Sequence, residues 1–197
     1  MVVLTGVLAC GACTSDDEPE NALSVDAVRQ AVSDAGPAPE NCPLVDVPAA
    51  LRSAGVDGSA RLDSATAEVS QSEEPADDPL AAQQQGTSPL EASAGATIEC
   101  HYLVGEDELD VHLVATRSEG AVHMIAPLIV SEAGMAMSDL QDFLGSLPGP
   151  GEVTMPADTV AVVRPEVAGG DAALMVVADL GADALREVTD TLVTQLG

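Results

Sequence analysis

The sequence predicts an α+β domain, in which helices pack on an antiparallel sheet of four to five strands. Residues 109–116 alternate between apolar and mostly polar side chains, which is the period of a strand with one buried face. Residues 159–163 and 173–178 are almost wholly apolar, which favours strands in the middle of a sheet. Residues 183–196 have a helical period, with one apolar stripe formed by Leu185, Val188, Leu192 and Leu196. A unit of hairpin followed by helix is therefore expected to occur twice.

Two short helices are predicted in the N-terminal third. Within residues 22–35, three valines recur at a helical spacing: Val25, Val28 and Val32. Asp46 and Pro48 are typical of the start of a second helix, and Gly55 marks its end. Residues 61–70 have a weaker alternating pattern and are the least distinct of the predicted strands.

A hairpin is predicted in the middle of the chain, with strands at residues 96–104 and 109–116. The helix that follows this hairpin is expected to run to residue 147, with a break near Pro127 or Gly134. Together these segments form the first of the two hairpin-and-helix units.

Three regions are predicted along the chain. Residues 1–12 are a signal peptide and lipobox region, and residues 13–40 are an acidic tether with a short helix. The α+β domain is expected over residues 41–197. It contains a flexible loop at 71–95, where Gln, Ser, Pro, Glu and Asp predominate without periodicity.

The composition excludes some partners and favours others. The 197 residues include 33 Asp and Glu but only 6 Arg and no Lys, which gives a formal net charge of −27. Nucleic-acid binding needs cationic contacts to phosphate and aromatic platforms for bases, and the chain has one Tyr, one Phe and no Trp. No nucleic-acid partner is therefore expected. The acidity predicts a solvated surface or, alternatively, a docking face for a basic partner or divalent cations.

The N-terminus has the pattern of a targeting signal. Residues 1–12 have no charged side chain, and their apolar run is far shorter than the ~20 residues of a spanning helix. The segment Val7-Leu8-Ala9-Cys10 resembles the bacterial lipobox, whose cysteine is diacylated and becomes the first mature residue. Cys10 is the predicted lipid-attachment residue. Cys13, which also follows two small residues, is the alternative, and it would leave no unpaired thiol.

Two further cysteines, Cys42 and Cys100, lie inside the predicted domain. In an oxidising compartment they are expected to pair. A bridge over a loop of this length stabilises the fold by ~4 kcal/mol in the chain-entropy description. The alternative is two separate buried thiols.

Several of these features occur together in a known group of proteins. Asn41-Cys42-Pro43-Leu44 opens a short helix, Cys100-His101-Tyr102 lies on a strand, and a hairpin and a C-terminal helix follow. Over about residues 40–197 this plan resembles small actinobacterial cell-envelope lipoproteins, several families of which have no known activity. The resemblance implies lipidation and an extracytoplasmic location at the cell membrane, and it implies no particular chemistry.

Two histidines form a candidate metal site. A four-residue loop at 105–108 places His101 directly opposite His112, with their Cβ atoms ~5 Å apart on one face. Two imidazoles at this distance can bind Zn²⁺ or Cu²⁺, with Glu99 or Asp110 completing the site. The alternative is that both histidines are ordinary residues on the polar face of a hairpin.

The sequence lacks the motifs G-x-S-x-G, S-x-x-K and H-E-x-x-H and has no glycine-rich phosphate loop. It therefore predicts a non-enzymatic, lipid-anchored envelope protein that binds another envelope protein or a small ligand, with no cofactor. One alternative is a metal-binding protein or metal-dependent enzyme that uses His101 and His112. Another is a carrier of a lipid or other hydrophobic ligand, in a cavity between sheet and helices.

Overall fold

A six-stranded antiparallel sheet forms the centre of the described residues, which are 23–56, 59–147 and 149–197 of this computed structural model. In chain order the strands are β1 (Ala60–Val69), β2 (Ala96–Val104), β3 (Asp107–Thr116), β4 (Thr154–Ala157), β5 (Val160–Val163) and β6 (Asp171–Ala178). Their order across the sheet is β1-β2-β3-β6-β5-β4, and every neighbouring pair is antiparallel.

The same residues contain seven helices. They are α1 (Val25–Ala35), α2 (Val47–Ser53), α3 (Pro79–Gln84), α4 (Pro89–Ala92), α5 (Ala121–Ala133), α6 (Met137–Gly145) and α7 (Ala182–Leu196). None of these helices is both long enough and apolar enough to cross a membrane. The predicted α+β class is confirmed.

The number of strands differs from the predicted four to five. The additional strand is β4, which lies at the sheet edge and pairs only with β5. All four of its side chains are half-buried, and Pro156 within it has no N–H to offer a further strand. Such an edge strand has neither a strict alternation nor an apolar run, so its sequence pattern does not reveal it.

One face of the sheet, here called the inner face, is covered by α1, α2 and α7. The C-terminal helix α7 buries the predicted stripe of Leu185, Val188, Leu192 and Leu196. Helix α1 begins at Ser24, whose hydroxyl accepts a hydrogen bond from the Ala27 N–H, and it buries three valines: Val25, Val28 and Val32. The predicted helix at this position therefore forms part of the core.

The burial of α1 corrects the predicted domain boundary. Residues 23–40 pack with the domain that was expected to begin at residue 41, and do not form a tether. The earlier part of the predicted tether, the signal region 1–12 and the lipid-attachment candidates Cys10 and Cys13 lie outside the described residues.

The opposite face, here called the outer face, is only partly covered. Helix α5 packs over β3, β5 and β6, and α6 packs on α5. One carboxylate oxygen of Asp171 accepts hydrogen bonds from the N–H groups of Gly120 and Ala121 at 2.9 Å, which fixes the start of α5. The helix continues through Pro127 and ends at Gly134, whose φ of 61° forms a left-handed C-cap. Of the two predicted break points, Gly134 is confirmed and Pro127 is wrong.

Residues 71–95, predicted as a flexible loop, contain the short helices α3 and α4. Each helix has a proline in its first turn, directly after a capping side chain. Asp78 accepts a hydrogen bond from the Ala81 N–H, and Ser88 accepts one from the Glu91 N–H. The composition of this segment is otherwise typical of a loop, so it does not indicate these two helix caps. The segment 71–95 is called the excursion below.

Candidate functional site

A disulfide joins Cys42, in the segment before α2, to Cys100 at the centre of β2, with the two Cα atoms 5.8 Å apart. Both cysteines are buried in the core of the inner face. The bond is the predicted one, and it ties the segment that leads into α2 covalently to the sheet. Structural disulfides of this kind are typical of proteins outside the cytoplasm.

The turn between β2 and β3 has two residues, Gly105 and Glu106, instead of the predicted four. Gly105 has a φ of 68°, the left-handed conformation that a tight hairpin turn requires and glycine adopts readily. Asp107 and Glu108 therefore extend β3 in spite of their polarity. The register differs by two residues from the predicted one.

His101 and His112 are consequently diagonal neighbours on the outer face, with ring centroids 6.1 Å apart, and the predicted direct opposition is wrong. His101 lies opposite Asp110, whose Oδ1 is 2.7 Å from the His101 Nδ1. His112 lies opposite Glu99. Within the described parts of the chain, no three His, Cys, Asp or Glu side chains converge in a way that could hold a metal ion.

The His112 side chain is only 10% exposed, and its Nδ1 atom is buried without a hydrogen-bond partner. The nearest carboxylate oxygen, Glu99 Oε1, is 4.0 Å away. Burial lowers the pKa of His112, and the charges of Glu99 and Asp110 oppose this effect only in part. His112 is therefore neutral at neutral pH and does not balance the charge of Glu99.

The outer face of β1 and β2 is open to solvent where α5 does not cover it. Three alternate residues of β1 are exposed there, opposite Glu99 and its neighbours on β2: Ser64, Thr66 and Glu68. His112 pairs with Glu99 on one side and with the buried Met175 on the other. It therefore marks the boundary between the open polar half and the covered apolar half of this face.

A groove lies between α5 and the excursion, over the outer face of β2. It consists of two adjoining hollows of about 410 and 920 Å³, which share Thr97, Glu99, Met124 and Pro127. Residues of α3 and α4 line one side of the larger hollow, and residues of α5 line the other. This feature is called the outer groove below.

Apolar side chains form much of the lining of the outer groove. Leu80 of α3 is 65% exposed, and α3 buries none of its residues. Met124 and Pro127 of α5 lie in both hollows. A large apolar side chain left this accessible, next to further apolar lining, is typical of a binding surface.

The charge in the outer groove is negative. Its larger hollow is lined by four exposed carboxylates: Glu68, Asp78, Glu99 and Glu119. No arginine lines either hollow. Five of the six arginines instead bind oxygen atoms elsewhere within the fold: Arg29, Arg61, Arg117, Arg164 and Arg186.

A buried arginine holds the excursion that forms one wall of the groove. Arg29 of α1 is 8% exposed. Its Nη1 atom donates to the carbonyls of Ala94 and Gly95 at 2.8 and 3.2 Å and to the hydroxyl of Ser70 at 3.2 Å. Its Nη2 atom donates to the carbonyls of Ser70 and Ser72 at 3.3 and 3.0 Å. One guanidinium therefore fixes both ends of the excursion.

Glu91 of α4 makes a second cross-link in the excursion. Its carboxylate accepts hydrogen bonds from the N–H of Gln71 at 2.7 Å and from the N–H and hydroxyl of Ser72 at 3.1 and 2.9 Å. These hydrogen bonds, that of Gln71 first, lower the pKa of Glu91. Hydrogen bonds within the chain thus organise the wall of the groove.

The sequence analysis identified His101, His112 and Glu99 but not the groove beside them. The groove depends on residues from β1, β2, α3, α4 and α5, which are distant in the sequence. One local signal was available, since Asp78-Pro79-Leu80 combines a helix start with an apolar side chain inside a polar segment.

Comparisons of the chain with protein-family models, curated proteins and solved structures find no match. The resemblance to actinobacterial envelope lipoproteins stays a prediction from the sequence. The outer groove, the disulfide and the N-terminal sequence are therefore the basis for a functional proposal.

Proposed function

We propose that this chain is a non-enzymatic binding protein, lipid-anchored to the outer face of a bacterial cell membrane, and that the outer groove is its binding site. The Cys42–Cys100 disulfide is the observation that carries the extracytoplasmic location. The lipobox-like segment that ends at Cys10 supports the anchor. A diacylated cysteine has two acyl chains, which is enough for stable attachment to a membrane.

The chemistry of the outer face supports binding over nucleophilic catalysis. An activated nucleophile needs a hydrogen bond to a base, most often a histidine. Within the described residues, no Ser, Thr or Cys side chain is hydrogen-bonded to a histidine. The Thr66 hydroxyl donates to Glu99 at 3.4 Å, and His101 is bonded to Asp110.

A second candidate function is the transport of a hydrophobic ligand, which is favoured by the exposure of Leu80 in a hollow of about 920 Å³. Mass analysis of an organic extract of the native protein tests it, since a carrier would release a lipid in stoichiometric amount. The metal-dependent alternative is not carried forward, because no third ligand joins His101 and His112 in the described residues.

The anchor is tested by fractionation of the full chain in a bacterium that processes lipoproteins. Cys10→Ala is expected to move the protein from the membrane fraction to the aqueous fraction, whereas Cys13→Ala leaves it in the membrane. The double variant Cys42→Ala/Cys100→Ala is the matched control for the replacement of both Cys10 and Cys13. Each double variant loses two cysteines, but only the control keeps the anchor. The proposal is wrong if the chain stays in the membrane fraction when both Cys10 and Cys13 are replaced.

A further inference from the structure

We infer that the outer groove binds a cationic amphipathic peptide segment of a partner protein. This inference rests on the proposed binding function and names the chemistry of its ligand. The charge, the apolar surface and the size of the groove together favour this ligand.

The charge of the groove selects a cation. Four exposed carboxylates surround the larger hollow, and no arginine compensates them within it. Among the described residues Glu99 has one hydrogen bond, from the Thr66 hydroxyl at 3.4 Å, and the His112 Nδ1 atom lies beyond hydrogen-bond reach at 4.0 Å. The net charge of −27 extends the same field around the groove and repels anionic ligands such as phospholipid headgroups.

The apolar surface of the groove favours a ligand that has apolar side chains as well as positive charge. Leu80 and Met137 are the two large apolar side chains that are exposed in the described residues, and Leu80 lies in the groove. Met124 and Pro127 face it from α5. A polyamine would leave these side chains unused, whereas a segment with apolar residues between its lysines or arginines would bury them.

The size of the larger hollow also favours a segment of a chain over a small ligand. A hollow of about 920 Å³ is near the upper limit for small-molecule pockets, which suits several side chains of one segment.

The test uses the purified full chain in detergent and a fluorescent amphipathic peptide composed of Leu and Lys. Titration is expected to show saturable binding at one site. The double variant Glu99→Gln/Glu119→Gln should weaken binding by about fivefold, because two exposed ion pairs are lost. Leu80→Ser should weaken it by about tenfold, because one apolar contact is lost. All three positions are exposed, so circular dichroism of these variants should match the parent.

The matched control is Glu106→Gln/Glu108→Gln, which removes the same charge from the hairpin turn outside the groove. It should leave the affinity within about twofold of the parent. A peptide of Leu and Glu should not bind, and a peptide of Lys alone should bind more weakly than the Leu–Lys peptide. An organic extract of the native protein should contain no lipid in stoichiometric amount.

Three results would overturn the inference. They are no saturable binding, equal weakening by the groove and hairpin-turn variants, and a stoichiometric lipid in the organic extract. The first means that the groove has another ligand, the second that attraction by net charge is sufficient, and the third that a lipid occupies the groove. These outcomes are separate from the membrane anchor, which fractionation tests without any peptide.

Discussion

The Nδ1 atom of His112 lies 4.0 Å from Glu99 Oε1 across the β2–β3 pair and has no hydrogen-bond partner. The two atoms are too far apart for a hydrogen bond, and the charge of Glu99 would attract the His112 ring only if the ring were protonated. Because His112 is buried and neutral, its protonation is linked to the stability of the whole domain.

Below pH 6.5, the usual pKa of histidine, the unfolded chain is expected to bind a proton at His112 before the folded chain does, because burial lowers the pKa in the fold. The free energy of unfolding therefore decreases as the pH falls from about 6.5 towards the lowered pKa and levels off below it. His112→Leu removes this contribution, so the variant should gain stability relative to the parent over this window. Urea unfolding at several pH values measures the difference.

The control for this comparison is the exposed His123, replaced by Gln. Its variant should follow the pH dependence of the parent. A His112→Leu variant whose stability stays parallel to that of the parent would show that His112 does not titrate differently in the two states.

Arg29 should be among the residues most important for stability. Arg29→Met removes a donor from four carbonyl groups at the ends of the excursion, of which those of Gly95 and Ser72 keep a second donor from Ser70. We expect a loss of about 3 kcal/mol in the free energy of unfolding and faster proteolysis within residues 71–95. Arg61→Met is the control, because the Arg61 side chain is 66% exposed and its pairing with Asp63 contributes little. Equal stabilities for the two variants would contradict the role of Arg29.

The disulfide should contribute strongly to stability. Replacing Cys42 and Cys100 together by Ala frees a loop with a sequence separation of 58 residues in the unfolded chain. The loss is expected to be ~4 kcal/mol, plus the cost of the cavity left in the core. Urea unfolding of the oxidised parent, the reduced parent and the double variant separates the two effects. If both cysteines of the native protein react with an alkylating agent without reductant, the disulfide is absent.

Gly170 is expected to tolerate no side chain. A Cβ atom there would overlap the carbonyl oxygen of Thr116 and come within 2.8 Å of a methyl group of Val25. Since both neighbours belong to packed elements, Gly170→Ala should destabilise the domain by about 2 kcal/mol. Gly145→Ala serves as the comparison, because a Cβ atom at Gly145 would meet nothing within 4 Å. Thermal unfolding that leaves Gly170→Ala as stable as Gly145→Ala would contradict this packing.

The sequence predicted those parts of the fold that have strong periodicity. The β2–β3 hairpin, the apolar strand β6 and the stripe of α7 follow from local patterns. The hairpin register was missed because Asp107 looked like a loop residue, although Gly105 alone permits the tight turn. A single turn residue thus decided which side chain faces His101.

The candidate site was harder to predict than the fold, since its supports are not local. Arg29 reaches oxygen atoms 41 to 66 residues away, and all of its acceptors are carbonyls or hydroxyls, which every segment contains. No charge pattern in the sequence indicates such a partner. Leu80 similarly becomes part of a binding surface only because the fold places it opposite α5.

The disulfide also makes residues 42–100 a closed covalent ring that contains the entire excursion. A protease that cuts once between residues 71 and 95 therefore produces two peptides that stay joined. Without reductant they would migrate as one species, and with reductant as two. The wall of the outer groove can thus be cleaved in its backbone while both halves stay attached to the same domain.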